Sequence, residues 1–151
     1  MFEIEANSQI TVTRLEFSFN SYVGNRYYNL YLYSGGSIDT TGFDFPDQNG
    51  WETEFQGGMA MTGEKNAVTP ELAVDIDAGD KQAFYIAALN GQSILVRGRD
   101  NFGIDAERHS NSDLVIKGGY ATSSGDPFAT RFGTMYVSPT FITVYYKLTT
   151  R

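Results

Sequence analysis

Three tyrosines on one predicted strand are the side chains of this sequence best suited to recognising a ligand. In the segment Tyr-Tyr-Asn-Leu-Tyr-Leu-Tyr, Leu30 and Leu32 suit a buried face. Because successive side chains of a strand point to opposite faces, Tyr27, Tyr31 and Tyr33 then share the other face. Sugars stack their C–H faces on such rings, and the hydroxyls add hydrogen bonds. The pattern allows three interpretations: a glycan platform, a subunit interface, or a face covered by a second layer.

A second aromatic group lies around the long loop at residues 34–50, which is rich in glycine and aspartate. Phe43 and Phe45 lie in this loop, and Trp51, the single tryptophan, follows it. These rings would form a rival binding site. The alternative is that they anchor the loop to the core, because burial dominates the placement of aromatic side chains. We therefore rank them below the tyrosine strand as a recognition surface.

Oxygen-bearing side chains in two long loops are candidate ligands for calcium, which prefers carboxylate, amide and carbonyl oxygens. The first loop holds Asp44, Asp47 and Asn49, and the second holds Asp100 and Asp105. Neither group has the spacing of a helical calcium-binding loop. Asp and Asn are also common in turns, because they tolerate tight-turn dihedrals and bond their own backbone. The sequence thus predicts either no cofactor or calcium at these loops.

Catalytic motifs are missing from the sequence, which predicts a protein that is not an enzyme. The single histidine, His109, would have to be the general base of any serine–histidine–aspartate triad, and no serine lies in a Gly-x-Ser-x-Gly elbow. His109 is more simply a surface histidine. A pair of carboxylates in the long loops is enough for glycoside hydrolysis, so a carbohydrate-active enzyme remains the alternative from another functional class.

Composition and charge restrict the class of partner. The net charge is −7, with 11 basic and 18 acidic residues, so the chain lacks the basic face that binds nucleic acid. The absence of cysteine excludes disulfides and thiolate metal sites. No apolar run approaches the length of a membrane helix, which argues against membrane insertion. The first residues do not resemble a signal peptide, which leaves either a cytoplasmic protein or an excised, mature domain. The apparent strand so close to the first residue favours the excised domain.

Alternation of apolar and polar residues runs through nearly every apolar segment and predicts about nine short strands. The expected fold is all-β: a two-layer antiparallel sandwich, jelly-roll or immunoglobulin-like, forming a single domain over residues 1–151. The inner layer should contain eight apolar residues of the alternating segments: Leu30, Leu32, Val74, Ile76, Phe84, Ile86, Ile142 and Val144.

Local signals also predict where strands bend, turn and pair. The apolar phase changes between Val12 and Leu15, which places a bulge or corner at Thr13-Arg14. The turn signal at residues 78–81 predicts that the flanking strands are antiparallel neighbours. The last strand, residues 141–148, is expected to close the sandwich beside the first.

Several stretches, taken in order, resemble a poorly characterised β-sandwich module of large secreted or surface proteins from bacteria and some algae. They read Met-Phe-Glu-Ile-Glu-Ala at 1–6, Ala-Gly-Asp at 78–80, Phe-Tyr-Ile at 84–86, Asn-Ser-Asp-Leu-Val-Ile at 111–116 and Ser-Pro at 138–139. The Trp-Asn-Gly triplet of that pattern is replaced by Thr-Phe-Ile after Ser-Pro. The resemblance implies a sandwich fold and an extracellular or cell-surface location, but no reaction and no site residues.

The sequence as a whole favours a non-catalytic extracellular or surface module for adhesion, glycan binding or structural assembly. Its partner would be a glycan or another protein subunit. A further alternative is a filament subunit assembled by strand donation. In that case an exposed first strand, residues 2–6, would add to the sheet of a neighbouring copy.

Overall fold

The computed structural model describes residues 1–19, 23–37, 50–62, 66–89, 107–121, 135–137 and 142–149, and within these ranges the protein is all-β. No helix long and apolar enough to cross a membrane occurs there. The strands, in chain order, are β1 Phe2–Ala6, β2 Ile10–Ser18, β3 Val23–Tyr33, β4 Trp51–Thr62, β5 Asn66–Val68, β6 Val74–Ile76, β7 Lys81–Ala88, β8 Glu107–Ser110, β9 Leu114–Lys117, β10 Gly119–Ala121, β11 Met135–Val137 and β12 Thr143–Leu148.

Two antiparallel sheets form the layers of the sandwich that the alternation predicts. One sheet has six strands in the order β4-β3-β7-β1-β9-β8. The other has four strands: β12-β2-β5 in order, with β6 also paired to β2. Strands β10 and β11 pair separately. The predicted two-layer antiparallel sandwich is therefore confirmed.

The core lies between the two sheets and is built from the apolar phase of each strand. Phe2 of β1 stacks on Phe84 of β7, with ring centroids 5.3 Å apart, and both face Val12 and Leu15 of the opposite sheet in one buried cluster. Five of the predicted inner residues are buried in this cluster, and the other three pack against it, which confirms the predicted phase: Leu30, Val74, Ile76, Phe84 and Ile86, then Leu32, Ile142 and Val144.

A β-bulge in β2 explains the phase change seen in the sequence. Tyr145 of β12 lies opposite Arg14, but the next residue, Tyr146, lies opposite Val12, so Thr13 is the extra residue. The bulge lets Val12 and Leu15, three positions apart, both face the core. The predicted irregularity at Thr13-Arg14 is thus confirmed.

Two predictions about neighbouring strands were wrong. The turn at residues 77–80 carries Gly79 at φ +90°, but it joins β6 of the four-stranded sheet to β7 of the six-stranded sheet. It therefore connects the layers and does not form a hairpin. The last strand, β12, pairs with β2 and not with β1. The residues of a turn determine that the chain reverses direction. Hydrogen bonding to strands distant in the sequence determines which sheet each flanking strand joins.

The first strand is interior to its sheet. Strand β1 pairs with β7 on one side and with β9 on the other, and Phe2 and Ile4 are among the most deeply buried residues. A strand with hydrogen-bonded neighbours on both sides offers no edge for addition to another subunit. The expectation of an exposed first strand was therefore wrong.

Replacing Tyr28 with phenylalanine is expected to stabilise the fold by about 1 kcal/mol. The Tyr28 ring packs edge-on against Phe17, and its hydroxyl is buried without a hydrogen-bond partner among the described residues. Burial raises the pKa of Tyr28 to about 12, so the desolvated hydroxyl stays protonated at neutral pH. The measurement is urea unfolding. As a matched control, Tyr146→Phe should destabilise the protein, because the Tyr146 hydroxyl donates to Asp113 Oδ2 at 2.8 Å. Equal losses from both variants would contradict the prediction.

Candidate functional site

An aromatic cluster lies on the outer face of the six-stranded sheet, away from the main core. We call it the outer aromatic cluster: Tyr31 and Tyr33 of β3, Trp51 of β4 and Tyr85 of β7. Ring centroids are 5.6 Å apart for Tyr31 and Tyr85, 5.2 Å for Tyr33 and Trp51, and 5.8 Å for Trp51 and Tyr85. Trp51, which the sequence assigns to the rival site, therefore belongs to the same cluster as Tyr31 and Tyr33.

A second β-bulge, in β4, brings Trp51 into this cluster. Leu30 lies opposite Phe55 and Tyr31 lies opposite Thr53, so Glu54 is the extra residue. Without the bulge, Trp51 and Phe55 would share a face, because they are four positions apart. With it, Phe55 packs on the core and Trp51 points outward beside Tyr33.

Most of the outer aromatic cluster is buried. Exposed fractions are 7% for Tyr31, 6% for Trp51 and 3% for Tyr85, whereas Tyr33 is half-buried and Tyr27 is 39% exposed. For Tyr31 and Trp51 these values agree with the interpretation of a covered face and not with that of an open recognition patch. Alternation correctly separated the tyrosines from the leucines, but it does not report whether a second layer covers the outer face. The remaining predicted rings, Phe43 and Phe45, lie outside the described residues.

Tyr33 is the half-buried member of the cluster and is held in a slot between two glycines. A Cβ atom on Gly35 would lie 2.7 Å from one edge of the Tyr33 ring, and a Cβ on Gly50 would lie 2.7 Å from the other edge. Both distances are shorter than any ordinary carbon contact. Glycine at these positions therefore admits the ring and fixes its orientation beside Trp51.

An open cleft of about 550 Å³ is lined by residues of both sheets and begins at Ser34, the residue after Tyr33. One wall is the turn at 34–37, which follows β3. The other wall comes from β6 and the connection to β7, and the lining residues are those at 34–37, 75–77 and 79–82. Because residues of both sheets line the cleft, no single segment of the sequence predicts it.

Carboxylates dominate one wall of the cleft. Asp75 accepts a hydrogen bond from the Thr11 hydroxyl at 2.6 Å, and Asp77 accepts one from Gln9 Nε2 at 2.8 Å. Asp80, exposed beside them, has no side-chain partner among the described residues. The opposite wall carries small neutral groups, with Ser34 and the glycines after it. The cleft therefore offers many acceptors for hydroxyl or amine donors, but few apolar contacts.

Charged side chains of β1, β7 and β9 connect the turn at 34–37 to the six-stranded sheet. Lys81 lies 3.6 Å from a carboxylate oxygen of Glu3, and the other Glu3 oxygen accepts from the Ser37 hydroxyl at 2.8 Å. Glu5 forms an ion pair with Lys117 of β9. The hydrogen bond from Lys117 is the main reason that the pKa of Glu5 lies below its usual value. These contacts hold the turn at 34–37 against β1 and β7, which gives the cleft a fixed wall.

None of the predicted calcium ligands belongs to the part of the chain that the structure describes. Asp44, Asp47, Asn49, Asp100 and Asp105 all lie outside the described ranges. Within those ranges, no group of three or more histidine or acidic side chains is arranged to hold a metal ion. His109 lies exposed in the short strand β8, opposite Ile116.

One exposed ring was not identified by sequence reasoning. Tyr145 of β12 is 44% exposed on the outer face of the four-stranded sheet. Its signal was present, because placing Val144 and Tyr146 on the core side obliges Tyr145 to face outward. The three tyrosines of β3 formed the stronger pattern, so this single ring was missed.

Comparison with known proteins yields no relative. No protein-family model matches the chain, and no curated protein or solved structure is significantly similar to it. Function must therefore be argued from the geometry above.

Proposed function

We propose that this protein is a non-catalytic glycan-binding module of an extracellular or cell-surface protein, and that a sugar occupies the cleft between the sheets. The observation that carries the proposal is the cleft itself, about 550 Å³ in volume, open, more polar than apolar, and formed by two turns with the adjoining ends of β6 and β7. Binding sites of this size usually lie in clefts with a few convergent polar groups. Here the polar groups outnumber the apolar ones, which suits a ligand covered with hydroxyl groups.

The chemistry of the two walls supports a sugar over an anionic ligand. Asp75, Asp77 and Asp80 present acceptor oxygens that can each receive hydrogen bonds from neighbouring hydroxyls. Ser34 and Lys81 supply donors across the same space. A phosphate or a nucleic acid would meet three carboxylates and one ammonium group, in a chain whose net charge is −7.

The arrangement of the carboxylates supports binding over glycoside hydrolysis. A glycosidase places two carboxyl groups on either side of the scissile bond, about 5–9.5 Å apart. In this cleft Asp75, Asp77 and Asp80 all come from β6 and the turn that follows it, and the turn at 34–37 has no acidic residue. Carboxylates on one side of a sugar ring can orient it but cannot act on both of its faces.

The test is affinity electrophoresis and calorimetry with a panel of neutral, acidic and amino polysaccharides. The parent protein should bind at least one member. Asp80→Ala and Ser34→Ala should each weaken that binding about tenfold, the loss expected when a hydrogen bond involving a charged or buried group is removed. Glu52→Ala, an exposed acidic position on β4 outside the cleft, is the matched control and should bind like the parent. Cleft variants that bind as tightly as the parent would refute the proposed site.

A further inference from the structure

We propose that the outer face of the four-stranded sheet continues the cleft as a glycan-binding track that ends on the exposed ring of Tyr145. The ligand is then an extended chain of sugars and not a single terminal sugar. This inference rests on the proposed function, because it names the ligand class of that site.

Tyr145 has the properties of a preorganised stacking platform. Its ring is 44% exposed, yet its hydroxyl donates to Glu16 Oε2 at 2.8 Å. The other Glu16 oxygen accepts from Asn66 Nδ2 at 2.7 Å, and Asn66 Oδ1 accepts from the Ser18 hydroxyl at 2.7 Å. This chain of hydrogen bonds crosses three strands. It fixes the ring before any ligand arrives, so binding loses little side-chain entropy.

The groups around the ring are polar and suited to hydroxyl partners. Thr143 and Lys147 lie two positions to either side on β12, and Arg14 lies opposite Tyr145 on β2. The hydrogen bond to Glu16 is the main reason that the pKa of Tyr145 is raised, so the phenol stays neutral. A neutral ring flanked by donors and acceptors can stack on the C–H face of a sugar while its neighbours bind the hydroxyls.

The track is continuous with the cleft through Asp75. Asp75 lines the cleft and also accepts from Thr11 on the outer face of the sheet. Thr11 lies opposite Lys147, and Tyr145 is two residues further along β12. With strands about 4.8 Å apart and alternate residues about 7 Å apart, Tyr145 lies about 12 Å from Asp75. That distance spans a few sugar rings, so one chain can reach both.

A protein or nucleic-acid partner fits this face less well. The core of a protein interface is depleted of charge and rich in aromatic residues. Among the described residues of this face, one ring and the exposed Val68 stand among the charged Arg14, Glu16 and Lys147. Nucleic acid needs a basic surface, but Glu16, Asp75 and Asp77 place acidic groups along the track. An uncharged polyol chain with apolar ring faces matches both the ring and its polar neighbours.

The experiment measures affinity against chain length with cello-, xylo- and chito-oligosaccharides, from disaccharide to hexasaccharide, for the sugar class that the parent binds. Tyr145→Ala should weaken binding of the hexasaccharide about tenfold and leave the disaccharide unchanged. Asp80→Ala should weaken both. Tyr27→Ala removes a similarly exposed tyrosine from the other sheet and should change neither affinity. Because Tyr145 is exposed, thermal unfolding should show that Tyr145→Ala remains folded.

Each remaining outcome would refute at least one of the two proposals, the cleft or the track. If Asp80→Ala weakens binding but Tyr145→Ala has no effect at any length, the track is refuted and the cleft stands. If Tyr145→Ala weakens binding of the disaccharide as much as that of the hexasaccharide, or if only Tyr145→Ala acts, the ring is a separate site and continuity is refuted. A parent that self-associates through Tyr145, seen by sedimentation, would assign the face to a second copy of the chain. No binding to any probe would overturn both proposals.

Discussion

Replacing Trp51 with alanine is expected to destabilise the fold by about 3–5 kcal/mol, although Trp51 lies outside the main core. Its ring is 6% exposed and packs against Tyr33 and Tyr85, with centroids 5.2 and 5.8 Å away. Removing it leaves a cavity in the outer aromatic cluster and frees the Tyr33 ring, which precedes the turn at 34–37 that lines the cleft. Urea unfolding followed by far-ultraviolet circular dichroism measures the loss.

Trp51→Phe is the matched control and should retain most of the stability. The indole Nε1 is buried without a hydrogen-bond acceptor among the described residues, so losing this donor removes a desolvation penalty. That gain partly offsets the smaller volume of phenylalanine. If Trp51→Ala were as stable as the parent, the outer aromatic cluster would be a loosely packed surface and not a buried cluster that stabilises the fold.

Substituting alanine at Gly36 is expected to destabilise the protein by about 2–5 kcal/mol, the sum of left-handed backbone strain and overpacking. Gly36 has φ +75°, and a Cβ atom there would lie 2.7 Å from the backbone oxygen of Lys81. A backbone atom cannot move aside as a flexible side chain can. The turn would have to separate from β7, which breaks the hydrogen bond from the Ala83 amide to the Gly36 oxygen at 2.6 Å and opens the wall of the cleft.

Gly79 provides the control for backbone strain without crowding. It has φ +90°, but a Cβ atom there would meet no other atom within 4 Å. Gly79→Ala should therefore cost only the strain of the left-handed backbone, about 1–2 kcal/mol. The difference between the two variants, measured by urea unfolding, isolates the contact with Lys81. Equal losses at the two positions would show that this contact is relieved by movement of the turn.

Local features of the architecture were predictable from the sequence. Alternation predicted the sheets, and the phase of Leu30 and Leu32 correctly placed Tyr31 and Tyr33 on the opposite face. The change of phase between Val12 and Leu15 located the bulge at Thr13. These predictions hold because side-chain direction in a strand follows from its own backbone and requires no knowledge of its neighbours.

The candidate sites depended on pairings that only the tertiary structure decided. The bulge at Glu54 is visible only in the register between β3 and β4, and that register brings Trp51 to Tyr33. The burial of Tyr31 depends on which residues cover the outer face of its sheet. The cleft forms because the strands before and after the turn at 77–80, β6 and β7, belong to different sheets. Strand partners and layers are set by contacts between residues far apart in the chain, whereas alternation is a property of each segment alone. The sequence by itself therefore determined which side chains share a face, and the tertiary structure decided which faces meet.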